Sequence, residues 1–180
     1  MKKSIIVYIA IVIPLLLSCG NKNKVAYKDA GGLVYARPSV EDWTEINDRK
    51  TLPGNSSYKT ISNTTVTSYM SEKYNASILI ENITTTSENP GEAYGQYFDA
   101  LFEKMKKLGT VEKNNTDEEK IKSRQMITEM NDGLISLKCM FYDDYETDAL
   151  IIDMIFTKEN IQNLSKVIED LFNSVQYKRL

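Results

Sequence analysis

The chain has 180 residues, 22 of them basic and 25 acidic, for a net charge of −3, and it contains no histidine. That length suits one domain with a single core, while the missing histidine removes the commonest general base near neutral pH, the usual catalytic triad and the most frequent transition-metal ligand. No lysine-arginine run is longer than pairs such as Lys106-Lys107 and Lys178-Arg179, so the electrostatic footprint of a nucleic-acid binder is missing.

At the start, Lys2 and Lys3 precede an apolar run from Ile5 to Leu17, closed by Leu16-Leu17-Ser18-Cys19-Gly20. A membrane span needs about 20 apolar residues, and this run is shorter and turns polar at once. Residues 1–18 therefore read as a removable export signal, with Ser18 as the small residue before the cleavage point. The pentapeptide resembles the lipobox of bacterial lipoproteins. That resemblance implies acylation of Cys19 and a lipid anchor in the outer or inner membrane of a bacterial envelope, on its periplasmic or surface face. Two acyl chains meet the requirement for stable attachment. The competing reading is a plain secretory signal with an incidental cysteine. Once Cys19 is acylated, Cys139 is the only thiol left, so the body has no internal disulfide.

Residues 19–32 are polar, glycine-containing and aperiodic, which suits a flexible tether, and 33–180 form the expected domain. Ser39 and Asp42 sit as N-cap and capping-box acid before Val40, Trp43 and Ile46, predicting a helix that ends near Asn47. Leu52-Pro53-Gly54-Asn55 is a turn cluster. Two strands follow over 58–69 and 74–86, rich in Thr, Tyr, Ile and Val. Asn89-Pro90-Gly91-Glu92 then opens a helix whose stripe runs Tyr94, Tyr97, Phe98, Leu101, Phe102, Met105 and Leu108, with Gly109 ending it.

A polar loop over 114–119 leads to a strand ending near Met130 and a turn at Asn131-Asp132-Gly133. In the next strand Ile135, Leu137, Cys139 and Phe141 alternate with Ser136, Lys138, Met140 and Tyr142, so one face is expected to be buried and the other only partly covered. Leu150, Ile152, Met154 and Phe156 repeat the pattern, and Ile151 and Ile155 make the second face apolar, which predicts a central strand. Thr157 is placed to cap the last helix, striped by Ile161, Leu164, Val167, Ile168, Leu171, Phe172 and Val175.

This order predicts an α+β domain, a single antiparallel sheet flanked by helices. From about 55 to 177 the element order, the Tyr94 to Leu108 helix and the run Val167-Ile168-Glu169-Asp170-Leu171-Phe172-Asn173-Ser174-Val175 resemble the PsbP-like fold, an α/β/α sandwich. The resemblance implies an assembly or binding accessory to a larger complex, and it transfers no site residue.

Candidate chemistry is sparse. Asp144, Glu146 and Asp148 lie in the acidic stretch 143–148 and could converge on Ca²⁺. A full calcium loop from Asp144 would need glycine at 149 and glutamate at 155, where the chain has Ala149 and Ile155, so a solvated hairpin tip is the stronger expectation. Cys139, on an apolar strand face, reads as a small buried hydrophobe. Tyr94 and Tyr97 read as core. Six Asn-x-Ser/Thr sequons, at Asn55, Asn63, Asn75, Asn82, Asn114 and Asn163, are discounted for a chain with a bacterial export signal. Neither Gly31-Gly32 nor Gly91 to Gly95 has the spacing of a phosphate loop. The expected role is thus a membrane-tethered, non-enzymatic accessory or binding module for a protein complex or small ligand, with no cofactor and no nucleic acid. The alternative is a carboxylate-dependent hydrolase of the envelope using acids near Asp144 and Asp153.

Overall fold

The computed structural model describes residues 26–46, 60–116 and 121–178. It opens with an antiparallel hairpin, β1 (Tyr27–Ala30) and β2 (Leu33–Ala36). The turn is made by Gly31 at φ +68, a conformation glycine adopts without penalty.

Seven further strands form one antiparallel sheet. In chain order they are β3 (Thr44–Ile46), β4 (Ile61–Ser71), β5 (Ala76–Thr85), β6 (Gly109–Thr116), β7 (Lys122–Met130), β8 (Leu134–Tyr142) and β9 (Asp148–Thr157). In space they run β3-β4-β5-β9-β8-β7-β6. β9 is central, between β5 and β8, and both of its faces are covered. Leu150, Ile152, Met154 and Phe156 enter one core, Ala149 and Ile151 the other, which is why its sequence is apolar at nearly every position.

On one face lies α1 (Pro90–Met105), whose Tyr94 and Phe98 pack with Ile83, Met126, Met140, Tyr142 and Ile151. Asn89 caps it as the sequence indicates, its Oδ1 accepting from the Glu92 amide at 3.4 Å while its Nδ2 donates to the Glu92 carboxylate at 3.2 Å. The other face carries α2 (Ile161–Asn173), with Leu164, Ile168, Leu171 and Phe172 buried. It shares that layer with a small sheet, because β10 (Gln176–Tyr177) pairs with β2 beside β1. The second outer layer is therefore half helix and half sheet, where helices alone were expected.

Several sequence expectations need correction. Residues 27–32 are strand and turn, not tether, because Ala30 and Leu33 are buried in the core. The proposed helix after Ser39 is a turn followed by β3. Trp43 is buried and stacks on Tyr74 with ring centroids 5.9 Å apart, whereas Val40 points outward, so the three-residue spacing did not mark a shared face. Gly109 begins β6 rather than ending a helix. A Cβ there would lie 1.9 Å from the Glu129 carbonyl oxygen, so the close approach of β6 to β7 demands glycine. Residues 114–116 belong to that strand, which makes the expected three-strand meander a four-strand one. Thr157 makes no side-chain capping bond; a 3-10 turn at Lys158–Asn160 intervenes before α2.

The main sheet has two ends. The lower end holds the connections at 72–75, 106–108, 131–133 and 158–160, the upper end those at 86–89 and 143–147. β1 runs upward. Its turn at Gly31 and Gly32 abuts Asn82 and Asp148, while Tyr35 meets Tyr69, hydroxyls 3.2 Å apart, and Asp42 pairs with Lys73 at 2.7 Å. The chain therefore enters the domain at its lower end, where Ala26 accepts a hydrogen bond from the Arg37 amide.

Candidate functional site

The upper end carries an open cleft of about 750 Å³ lined by Ser87, Glu88, Asn89, Pro90, Glu92, Asp144, Tyr145 and Thr147. One wall is the start of α1, the other the loop joining β8 to β9. The walls are joined locally. Gly91 donates its amide to the Asp144 carbonyl at 3.3 Å, and a Cβ on Gly91 would stand 2.3 Å from the Asp144 carboxylate, so glycine lets the loop close on the helix. Tyr94 donates its buried hydroxyl to the Thr147 carbonyl at 2.5 Å. Burial, then the nearby Asp148 and Glu146 charges, push that hydroxyl's pKa well above the ordinary phenol value, leaving it a proton donor at any physiological pH. The Asp143 carboxylate accepts from the Tyr145 amide at 2.8 Å, a local turn bond in the segment that carries the Tyr145 ring, 89 % exposed, into solvent.

The helix terminus offers nothing to an anion. Pro90 has no N–H, and the amides of Gly91, Glu92 and Ala93 are taken by Asp144, the Asn89 side chain and the Asn89 carbonyl. With Glu88 and Glu92 on its walls, the cleft favours a cationic or hydrogen-bond-donating group.

The residues singled out from sequence are dispersed. Asp144 binds Lys122 at 2.5 Å. Glu146 is exposed. Asp148 lies against Gly32 and accepts from Asn82 at 3.4 Å. Among the described residues no three His, Cys, Asp or Glu side chains are grouped to hold a metal ion. Asp153 sits mid-strand, five positions and about 16 Å beyond Asp148. It is bound by Lys138 at 2.5 Å and accepts from Ser136 at 2.9 Å, whereas Asp144 lies in the loop before Asp148 and pairs with Lys122, so Asp144 and Asp153, the acids of the hydrolase reading, have separate partners at different levels of the sheet. Cys139 is fully buried, and burial pushes its thiol pKa up, against nucleophilic use. Tyr97 is half-buried near Asn63, and Tyr94 is core.

Sequence reasoning missed Tyr145 as an exposed aromatic and missed the wall formed by Ser87, Glu88 and Glu92. The Pro90-Gly91 pair was the available signal, since glycine just inside a helix start costs helix stability unless something packs there. Cys19 and the segment before it lie outside the described residues, as does the turn cluster at 52–55. Among the described residues no helix is long and apolar enough to cross a membrane.

A mostly antiparallel sheet carrying two helices in this order is a PsbP-like fold. The solution structure of cyanobacterial PsbP (CyanoP) from Synechocystis sp. PCC 6803 superposes with a TM-score of 0.57 at 11 % identity, covering 89 % of this chain and 98 % of that one. The crystal structure of the Saccharomyces cerevisiae Ran-binding protein Mog1p gives a TM-score of 0.50 at 11 % identity, covering 85 % and 96 %. No family model matches the chain, and no curated protein matches it by sequence. At this identity the shared property is the fold.

Proposed function

We propose that the protein is an envelope lipoprotein, anchored through an acylated Cys19, whose domain serves as a non-enzymatic accessory or binding module for a protein complex or small ligand. The observation that carries this reading is the position of Tyr145. It is the most exposed of the large apolar and aromatic side chains among the described residues, it rims the acidic cleft, and it stands at the end of the sheet opposite the chain's entry. A body held at its lower end presents that cleft outward. An aromatic side chain beside Glu88 and Glu92 suits a partner segment bearing lysine or arginine, through cation–π and charge contacts. The fold supports the same direction by analogy, since Mog1p is described as binding another protein.

The test has two parts. Cys19→Ser should leave a folded domain but release it from washed membranes, because the lipid supplies attachment; retention there would remove the anchor. Capture from the native envelope with lipidated wild type and with Tyr145→Ala/Glu92→Lys should then recover a partner that the double variant loses. Equal recovery by both would remove the cleft from the reading.

A further inference from the structure

We propose that the lower end of the domain is a lipid-contacting surface, so that the protein rests with this end against an anionic bilayer instead of swinging freely on its tether. The proposal builds on acylation of Cys19. Residues 20–26 are the only spacer between Cys19 and β1, and even fully extended they reach about 25 Å. The upper end lies a further β9 length away, about 33 Å of strand. The lower end is thus the part of the body kept closest to the lipid.

That end has the surface for the task. Among the described residues five large apolar or aromatic side chains are exposed, and four lie here: Tyr27 at 50 %, Val40 at 66 %, Met70 at 53 % and Leu108 at 49 %. Tyr27 opens β1, Val40 stands in the turn before β3, and Met70 pairs with Thr44 on β3. Leu108 lies across the sheet, where its carbonyl accepts from the Asn131 amide beside the β6–β7 edge. The two flanks lie at opposite edges of the seven-stranded sheet, six spacings or about 29 Å apart, so the contacts stand at both margins of a broad base and favour a flat seat.

Charge sets the direction. Leu108 follows the exposed Lys104, Lys106 and Lys107 at the foot of α1. Lys106 pairs with Glu103 at 2.6 Å and Asp132 is exposed in the adjoining turn, so the ammonium groups of Lys104 and Lys107 are the ones placed to meet phosphates while their apolar stems and the leucine enter the interface. The upper end instead gathers Glu88, Glu92, Asp143, Asp144 and Glu146. The Val40 flank includes the exposed Glu41 and Glu72, so contact there is apolar, and preference for anionic lipid comes from the Leu108 flank.

The experiment uses the lipidated full chain in phosphatidylcholine vesicles with and without phosphatidylglycerol, doped with spin-labelled lipid. An environment-sensitive fluorophore is placed in turn on Val40→Cys, Leu108→Cys and Tyr145→Cys; Cys139 is buried and Cys19 is consumed by acylation. Labels at 40 and 108 should shift to the blue and be quenched several-fold more than the label at 145. Adding Lys104→Glu and Lys107→Glu should reduce quenching at 108 only where phosphatidylglycerol is present. Equal quenching at all three positions, or solvent-like labels at 40 and 108 on protein that still floats with vesicles, would overturn the proposal and leave the anchor standing. Quenching at 108 that ignores phosphatidylglycerol would overturn its electrostatic part. A mature chain whose mass shows no acyl groups would overturn the anchor and the seat together.

Discussion

Replacing Phe172 by alanine tests how α2 closes the second face of the sheet. The ring is 5 % exposed and meets Phe141 of β8 edge-on, centroids 5.5 Å apart and planes at 76°. Burying such a side chain contributes about 1.5–3 kcal/mol by area, and an edge-to-face aromatic pair about 0.5–1.5 kcal/mol more. The cavity left between helix and sheet collapses only in part, which brings the expected loss to about 3–5 kcal/mol. That is a large share of a typical stability of about 5–15 kcal/mol. Asn173, the next residue, is exposed, so Asn173→Ala should change stability by less than about 0.5 kcal/mol. Urea unfolding followed by circular dichroism separates the two, with an unchanged m-value showing that only stability has moved. A cycle with Phe141→Leu should recover a coupling of about 1 kcal/mol between the rings. If Asn173→Ala costs as much as Phe172→Ala, the phase of α2, and with it the packing of this layer, is wrong.

Three further outcomes are expected. Gly109→Ala drives a methyl into the Glu129 carbonyl, so β6 should detach, with faster hydrogen exchange at Val111 and a loss of about 1–3 kcal/mol; unchanged protection would refute the close approach. The Glu45 carboxyl is held below its ordinary 4.5, first by its hydrogen bond from Lys28 and further by Thr67 and Arg37, against an opposing effect of burial. A group with a depressed folded pKa stabilises the fold above its unfolded value and loses that contribution as pH falls through the folded one. The acid limb of a stability profile below about pH 4.5 should therefore be shallower in Glu45→Gln, and an identical limb would count against the ion pair. Asp144→Asn with Asp148→Asn should shift the melting temperature equally with and without Ca²⁺, whereas a calcium-dependent rise in the wild type that the pair abolishes would restore a metal site.

What could be read from sequence tracks where the burial signal is local. β8 and β9 announce themselves because a covered face writes its alternation into Ile135 to Phe141 and Leu150 to Phe156, although the second face of β8, expected to be only partly covered, is buried as well at Ser136, Lys138, Met140 and Tyr142. α1 adds a cap whose partners are three residues apart. β3 and β6 are edge strands of the main sheet, where one side of the ladder is open and side chains such as Thr44, Glu112, Lys113 and Asn115 meet water, so no period survives. β1 is similar: Tyr27, Lys28 and Asp29 are polar or exposed, and only Ala30 is fully buried. The spacing of Val40, Trp43 and Ile46 imitated a helix because Trp43 needs Tyr74, a residue distant in sequence, to explain its burial. At the upper end the acidic stretch 143–148 was visible, but not that it splits, with Asp144 turned to Lys122 and Asp148 to the β1–β2 turn. Those partners come from other strands, and no local pattern encodes them.

The small sheet brings together the first and last described strands. β2 has β1 on one side and β10 on the other, with Val34 opposite Gln176, and the Ala36 amide donates to the Ser174 hydroxyl at 2.8 Å across 138 residues of chain. Such a pairing joins the two ends of the described residues, so its closure carries a large loop entropy and belongs late in folding. During synthesis β2 has its hairpin partner within a few residues but lacks its second neighbour until Gln176 and Tyr177 have been made. Up to that moment the layer over Leu150 and Ile152 stays unfinished. The small sheet closes over that part of the core only once β10 is available to pair with β2.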